Sequence, residues 1–311
     1  MVLIIHTIWR IHEDLFRIYE TLGFRVKYLP LKNIHIVEAR QAIKSIDPLF
    51  IHANYARSPA FAAFLSKKPY IIYAHGSDLR ISFRKDPIRN IARRFALKKA
   101  SWIWVSTRDI IGNAKQLAGE KKVSWLPVPV NEEIFRPKKS QVDWKQGHEI
   151  AIFMPSRIDY YTKRNLVALK AIKESDLDII FHYIAHGKDL ADFESRVKKW
   201  KVTTVKHKIM SQSDMVQGYN AVDIIIDQFS DYGSYGMVTV EALLCGKPVI
   251  TAPCDAPVYA AMTPKEFIER ITEIIYKKTD SEKLRNWAIM RHGHSSTIIR
   301  MKQVFKKIGF L

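Results

Sequence analysis

Cysteine is nearly absent: Cys245 and Cys254 are the two present in 311 residues. That excludes a disulfide-stapled fold and a cysteine-rich metal site, and it fits a reduced, cytoplasmic setting. Long apolar runs are also lacking, with no window near the roughly eighteen residues that would suggest a membrane span. The apolar run after Met1 stops within a few residues and no basic segment precedes it, so it reads as a β-strand and not as a signal peptide. Neither a G-x-G-x-x-G string nor a P-loop lysine motif occurs, which removes support for nicotinamide-dependent enzymes and P-loop ATPases. Acidic residues are scarce too: 31 Asp and Glu stand against 50 Lys and Arg, a formal charge of +19. Such a field gathers anions, whether nucleic acid, acidic lipid or phosphorylated small molecules.

What is present is ordinary for a folded chain, with 47% hydrophobic and 26% charged residues. The length suits two domains of roughly 150 residues each. Short apolar runs, rich in β-branched and aromatic residues, predict strands at 2–6, 25–29, 49–53, 70–74, 102–106 and 123–126. Helical patterns lie between them at 13–22, 58–65, 87–99 and 107–117. The alternation restarts with strands at 150–154, 178–184, 203–208, 223–227 and 248–252. Helices are predicted there at 163–173, 190–200, 214–221, 238–245 and 264–276. Nearly continuous apolar strands alternating with helices indicate parallel sheets covered on both faces. The fold class is therefore α/β, with two Rossmann-like, doubly wound domains facing a central cleft. The expected division is 1–138, a polar linker at 139–149, a second domain at 150–290, and a terminal helix at 291–311 packing back on the first domain.

Open α/β sheets bind ligands beyond the carboxyl ends of their strands. Arg157 follows the strand at 150–154, and Lys163 opens the next helical pattern. Together they suit a diphosphate, whose growing charge must be neutralised when it leaves. After the strand at 223–227 comes Asp227, then a glycine-bearing loop, then Gly236 and a helix ending on Gly246. Gly236 would allow close backbone approach, and the N–H groups of Met237 and Val238 would receive a phosphate with the helix dipole. Glu241 lies about one turn into that helix among apolar residues, where a carboxylate needs a partner. A ribose diol would supply one.

These residues resemble the family 4 (group 1) retaining glycosyltransferases of GT-B architecture, whose motif reads E-G-F-G-x-x-x-x-E-A-x-A-x-G-x-P-V. Gly236, Glu241, Ala242, Gly246, Pro248 and Val249 fall in place. Arg157 and Lys163 match the family's phosphate-binding pair. The stretch Trp125-Leu-Pro-Val-Pro-Val-Asn131 with Phe135-Arg-Pro137 resembles its I-P-N-G-V-D…F-x-P segment, and Tyr73-Ala-His-Gly-Ser-Asp78 resembles its H-G-x-D segment. The resemblance implies a metal-independent enzyme that needs no cofactor and moves a sugar from a nucleotide-diphosphate donor with retention. It also implies catalytic roles for His75, Arg157 and Lys163, with Asp78 on the acceptor side or capping a helix. One departure stands out: Gly233 occupies the place of the first Glu, with Asp227 and Asp231 nearby as substitutes. A non-catalytic sugar-nucleotide or glycan-binding protein is the alternative reading. A basic protein that binds or modifies nucleic acid is a further, less favoured one.

Other features carry less. Asp176 and Asp178 form a D-x-D string at a helix-to-strand junction, where turn formation is the simpler account. His182 and His186 would lie roughly 13 Å apart along a strand, too far to share a zinc ion. No metal site is expected. The helix at 87–99 carries Arg89, Arg93, Arg94, Lys98 and Lys99, preceded by Arg80, Arg84 and Lys85. Either Ile88, Ile91 and Phe95 face the core and the cations are solvated, or the helix meets an anionic membrane or a lipid-phosphate acceptor. A glycan acceptor, and a location on the cytoplasmic face of a membrane, fit the second case.

Overall fold

A computed structural model describes residues 1–6, 12–31, 36–80, 87–230, 234–277 and 279–311. The chain divides into two compact units, Met1–Pro129 with His294–Leu311, and Val130–Gly293.

The first unit runs β1 (Val2–His6), α1 (His12–Thr21), β2 (Val26–Pro30), α2 (Ile36–Ile46), β3 (Phe50–Asn54), α3 (Ser58–Ser66), β4 (Tyr70–Ala74), α4 (Ser77–Arg80), α5 (Pro87–Lys99), β5 (Trp102–Val105), α6 (Ile111–Ala118) and β6 (Val123–Trp125). Its six parallel strands lie in the order β2-β1-β3-β4-β5-β6. The central strands β1, β3 and β4 are buried along their whole length, whereas the edge strand β2 is not. Period-two alternation explains this: Leu3, Ile5, Ile51, Ala53 and Ile72 face one apolar cluster, and Val2, Ile4, Phe50 and Ile71 face the other.

The second unit runs β7 (Ile150–Met154), α7 (Leu166–Glu174), β8 (Ile179–Ile184), α8 (Leu190–Trp200), β9 (Thr204–His207), α9 (Gln212–Ala221), β10 (Ile224–Ile226), α10 (Met237–Leu244), β11 (Val249–Thr251), β12 (Tyr259–Ala260), α11 (Pro264–Tyr276) and α12 (Ser281–His292). Its parallel strands take the order β12-β11-β10-β7-β8-β9. The last helix, α13 (His294–Ile308), returns to the first unit. There Phe305 joins Tyr19 and Phe50 at ring distances of 6.0 and 5.5 Å, and His294 Nε2 meets Asp14 Oδ1 at 2.8 Å.

The polar stretch at 139–149, expected as a linker, is part of the second unit. Trp144 lies flat on His182 and His207 at 4.6 and 4.3 Å, and Lys145 pairs with Asp223 at 3.1 Å. One aromatic residue in a polar run supplies the anchor that composition alone hides.

Candidate functional site

Strand order locates the site in the second unit. From β7 the chain builds outward through β8 and β9, then returns to β7's other side with β10. The β7–β10 boundary is therefore the topological switch point, where helices leave on opposite faces and open a crevice. The segments at 155–165 and 227–230 leave the carboxyl ends of these two strands, and they hold Arg157, Lys163 and Asp227.

Lys163 sits in the turn before α7, its side chain 16% exposed. Its ammonium lies 3.2 Å from Asp227 Oδ1 and donates to Gln228 Oε1 at 2.7 Å. Its carbonyl accepts the Phe229 N–H at 3.0 Å, which ties the two segments together. Beneath them, Ser156 Oγ donates to the Asp227 carbonyl at 3.0 Å, and fully buried Asn165 accepts the Asp159 N–H at 2.7 Å. Arg157 is half-exposed, with Nη2 on Thr162 Oγ1 at 3.1 Å and Nε 3.5 Å from Asp159 Oδ2. Asp159 is held down to about 2: burial alone would raise it, but hydrogen bonds from Thr162 and the Lys188 ammonium outweigh that.

Asp227 does not substitute for the missing glutamate. It is fully buried, and its Oδ2 accepts the Gly236 N–H at 2.6 Å and the Thr239 hydroxyl at 2.8 Å. Its role is to shape the loop. Asp231 and Gly233 lie outside the described residues. Gly236 has an ordinary φ of −88°, so its requirement is steric: a Cβ there would meet Asp227 Oδ2 at 2.6 Å. It caps α10 with no side-chain hydrogen bond, and the half-buried Met237 and Val238 begin that helix. The far end closes as expected, with Gly246 at φ +71° and the Gly246→Leu243 and Lys247→Ala242 backbone bonds of a Schellman motif.

Glu241 has the partner its apolar helix demands. The buried Tyr219 hydroxyl donates to its Oε2 at 2.6 Å, and burial followed by this carboxylate raises the phenol well above its usual value. Nothing in the sequence pointed to Tyr219, because α9 and α10 meet only through tertiary packing.

In the first unit, His75 follows β4 and Asn54 ends β3, and the imidazole Nε2 is hydrogen-bonded to Asn54 Oδ1. Burial pushes His75 down to about 3. Asp78 is fully buried inside α4, not at its N-cap. Its oxygens accept the His75 N–H at 3.0 Å and the Ala56 N–H at 2.8 Å. Asp78 thus fixes main chain and is not open to an acceptor.

The remaining features also resolve. Asp178 takes the Glu149 N–H at 3.2 Å and pairs with His148. His182 pairs not with His186 but with His207 on the neighbouring strand, at 2.9 Å. Among the described residues no group of three His, Cys, Asp or Glu is arranged to hold a metal ion. No helix among them is long and apolar enough to cross a membrane.

Residues 11–107 match the family described as Glycosyl transferase 4-like. No curated protein matches the chain. Among solved structures, the chain is similar to Alr3699/HepE of Anabaena in complex with UDP-glucose, at TM-score 0.78 and 15% identity over 100% of this chain and 99% of that one. It is similar to sucrose-phosphate synthase of Thermosynechococcus elongatus, at TM-score 0.78 and 12% identity over 99% and 98%. A glycosyltransferase of Rickettsia africae gives TM-score 0.75 and 14% identity over 99% and 98%. At these identities the structural likeness speaks to fold. The first unit thus carries a Glycosyl transferase 4-like segment, and the fold along the chain is that of the GT-B glycosyltransferase structures.

Proposed function

We propose that the protein transfers a sugar from a nucleoside-diphosphate donor, with retention of configuration and without a metal ion. What supports this reading is the switch point of the second unit, where the segment bearing Arg157 and Lys163 follows β7 and Asp227, which holds Lys163 and the Gly236 N–H at the start of α10, follows β10. A helix N-terminus and two cations suit a diphosphate, and they neutralise the charge that grows as it departs. Glu241, steadied by Tyr219, is suited to a ribose diol. Alr3699/HepE has been solved with UDP-glucose, which makes that compound the first donor to try. His75 stands on the acceptor side of this scheme. Retention and metal independence follow from the resemblance to family 4.

A lipid-linked or glycan acceptor, and a working position on the cytoplasmic face of an anionic membrane, belong to the same reading. Support comes from α5, where Ile91 and Phe95 are 58% and 55% exposed while Ala96 and Leu97 face the core. Of the two alternatives for this helix, core contact does not hold for Ile91 and Phe95. With Arg94 and Lys98 they border a groove of about 410 Å³ closed by Gln116 and Leu117.

Screening sugar nucleotides by thermal shift tests the reading, because a bound donor raises stability by mass action. Donor hydrolysis separates enzyme from binder: Glu241→Ala and Lys163→Ala should lower nucleotide release, and release unchanged from the wild type in both variants would sink the catalytic reading.

A further inference from the structure

Two residues adjacent in sequence share the ammonium of Lys163. Strand β10 ends at Ile226, and the next two side chains, Asp227 and Gln228, reach Lys163 Nζ at 3.2 and 2.7 Å. They differ in kind. Asp227 is a fully buried carboxylate whose Oδ2 takes the Gly236 N–H and the Thr239 hydroxyl, so Oδ1 is what it offers to Lys163. Gln228 is a neutral amide, 9% exposed, and its bond to the ammonium is the shorter of the two.

Chemistry sets which way that amide faces. An ammonium can only donate, so it meets Oε1; the Ser234 carbonyl can only accept, so it meets Nε2, at 2.7 Å. A glutamate carboxylate would offer Ser234 no donor. The main chain of Gln228 is fixed as firmly. Its N–H donates to Thr251 Oγ1 at 3.3 Å, and its carbonyl accepts the Ala252 N–H at 2.7 Å and the Thr251 hydroxyl at 2.6 Å. The amide therefore has an anchored root at the end of β11 and a fixed partner on each side.

This arrangement governs how much charge Lys163 can offer. Of its three N–H donors, Asp227 and Gln228 take two, and the third has no partner among the described residues. Held by Asp227 alone, the ammonium would close on the carboxylate as an ion pair and present less charge to an anion. A neutral second acceptor draws it off the carboxylate without cancelling that charge.

We propose that Gln228 is a positioning residue: it holds the Lys163 ammonium between itself and Asp227, so that the remaining N–H and the positive charge serve the diphosphate of the donor. This rests on the donor reading above.

Calorimetric titration of UDP-glucose into the wild type, Gln228→Met, Lys163→Ala and the double variant tests it, with ligand-free thermal midpoints to check the fold. Methionine keeps the length of glutamine and removes both hydrogen bonds. Gln228→Met should weaken binding about fivefold or more, part of what a charge-assisted hydrogen bond contributes. On the Lys163→Ala background the same substitution should weaken it no further, because Gln228 acts through that ammonium. A merely structural role makes the two losses add, and additive losses overturn the proposal. Gln228→Glu has the native shape and gives a separate readout: a second carboxylate on Lys163 should weaken binding more than Gln228→Met does. Wild-type affinity in either Gln228 variant overturns the proposal, and leaves the donor reading standing where Lys163→Ala still binds more weakly. Absence of UDP-glucose binding by the wild type overturns both.

Discussion

The buried carboxylate of Asp227 accepts the Gly236 N–H at 2.6 Å and leaves no room for a side chain at position 236. The neighbouring atoms are a carboxylate already bound to Lys163 and Thr239, so they cannot swing aside cheaply. Gly236→Ala is expected to destabilise the second unit by about 1–3 kcal/mol, the usual cost of overpacking, and to weaken UDP binding as α10 shifts. Urea midpoints and calorimetric titration check both; a variant of wild-type stability and affinity would contradict the steric account.

Tyr219 and Glu241 make a second separable pair. Tyr219→Phe keeps the ring and removes the hydroxyl that fixes Oε2. Hydrogen bonds to charged groups contribute about 1.5–3 kcal/mol, so UDP affinity should fall about tenfold, the factor that about 1.4 kcal/mol represents. A control such as pyrophosphate, which lacks a ribose, should bind the variant as it binds the wild type. Equal loss for both ligands would argue against a ribose contact at Glu241.

Stability should fall on mild acidification. Burial pushes His182 down to about 4, with His207 adding to the effect, and Trp144 covers both rings. His52 and His75 sit near 3 for the same main reason. With folded values below the unfolded one of about 6.5, the unfolded chain binds protons first. The stabilisation is complete above about pH 6.5 and is lost as pH falls towards 4. His182→Asn should flatten that slope by one titrating group, measured as urea midpoints at pH 7.5 and 5. An unchanged slope would show that His182 does not titrate as its burial requires.

Much of this was legible from the sequence, and the losses have physical causes. Strands buried on both faces, such as β1, β3 and β7, read as unbroken apolar runs. The helix α12 was not read, because only Leu284, Ala288 and His292 along it are buried and three residues make a faint pattern. Residue positions were read better than residue roles. Asp227, Asp78 and Glu241 stood out as chemistry-bearing carboxylates, yet their partners Gly236, Ala56 and Tyr219 are set by tertiary packing. That distinction turned Asp227 and Asp78 from ligand contacts into groups that hold the backbone.

The exposed pair on α5 makes a membrane prediction. The full chain should sediment with vesicles containing anionic phosphatidylglycerol and not with neutral phosphatidylcholine vesicles at moderate salt. Ile91→Ser with Phe95→Ser should reduce that binding severalfold, since both side chains are exposed and their loss leaves the core intact. Binding unaffected by the double substitution would move the contact elsewhere on this basic surface.

The account turns on a nucleotide-diphosphate donor held at the switch point of the second unit. Calorimetric titration of UDP-glucose into the wild type and Lys163→Ala, without added metal, addresses it most directly. Saturable one-to-one binding by the wild type, weakened about tenfold or more in the variant by loss of a charge-assisted contact, is the predicted result. Binding that is indifferent to Lys163 would contradict the central claim.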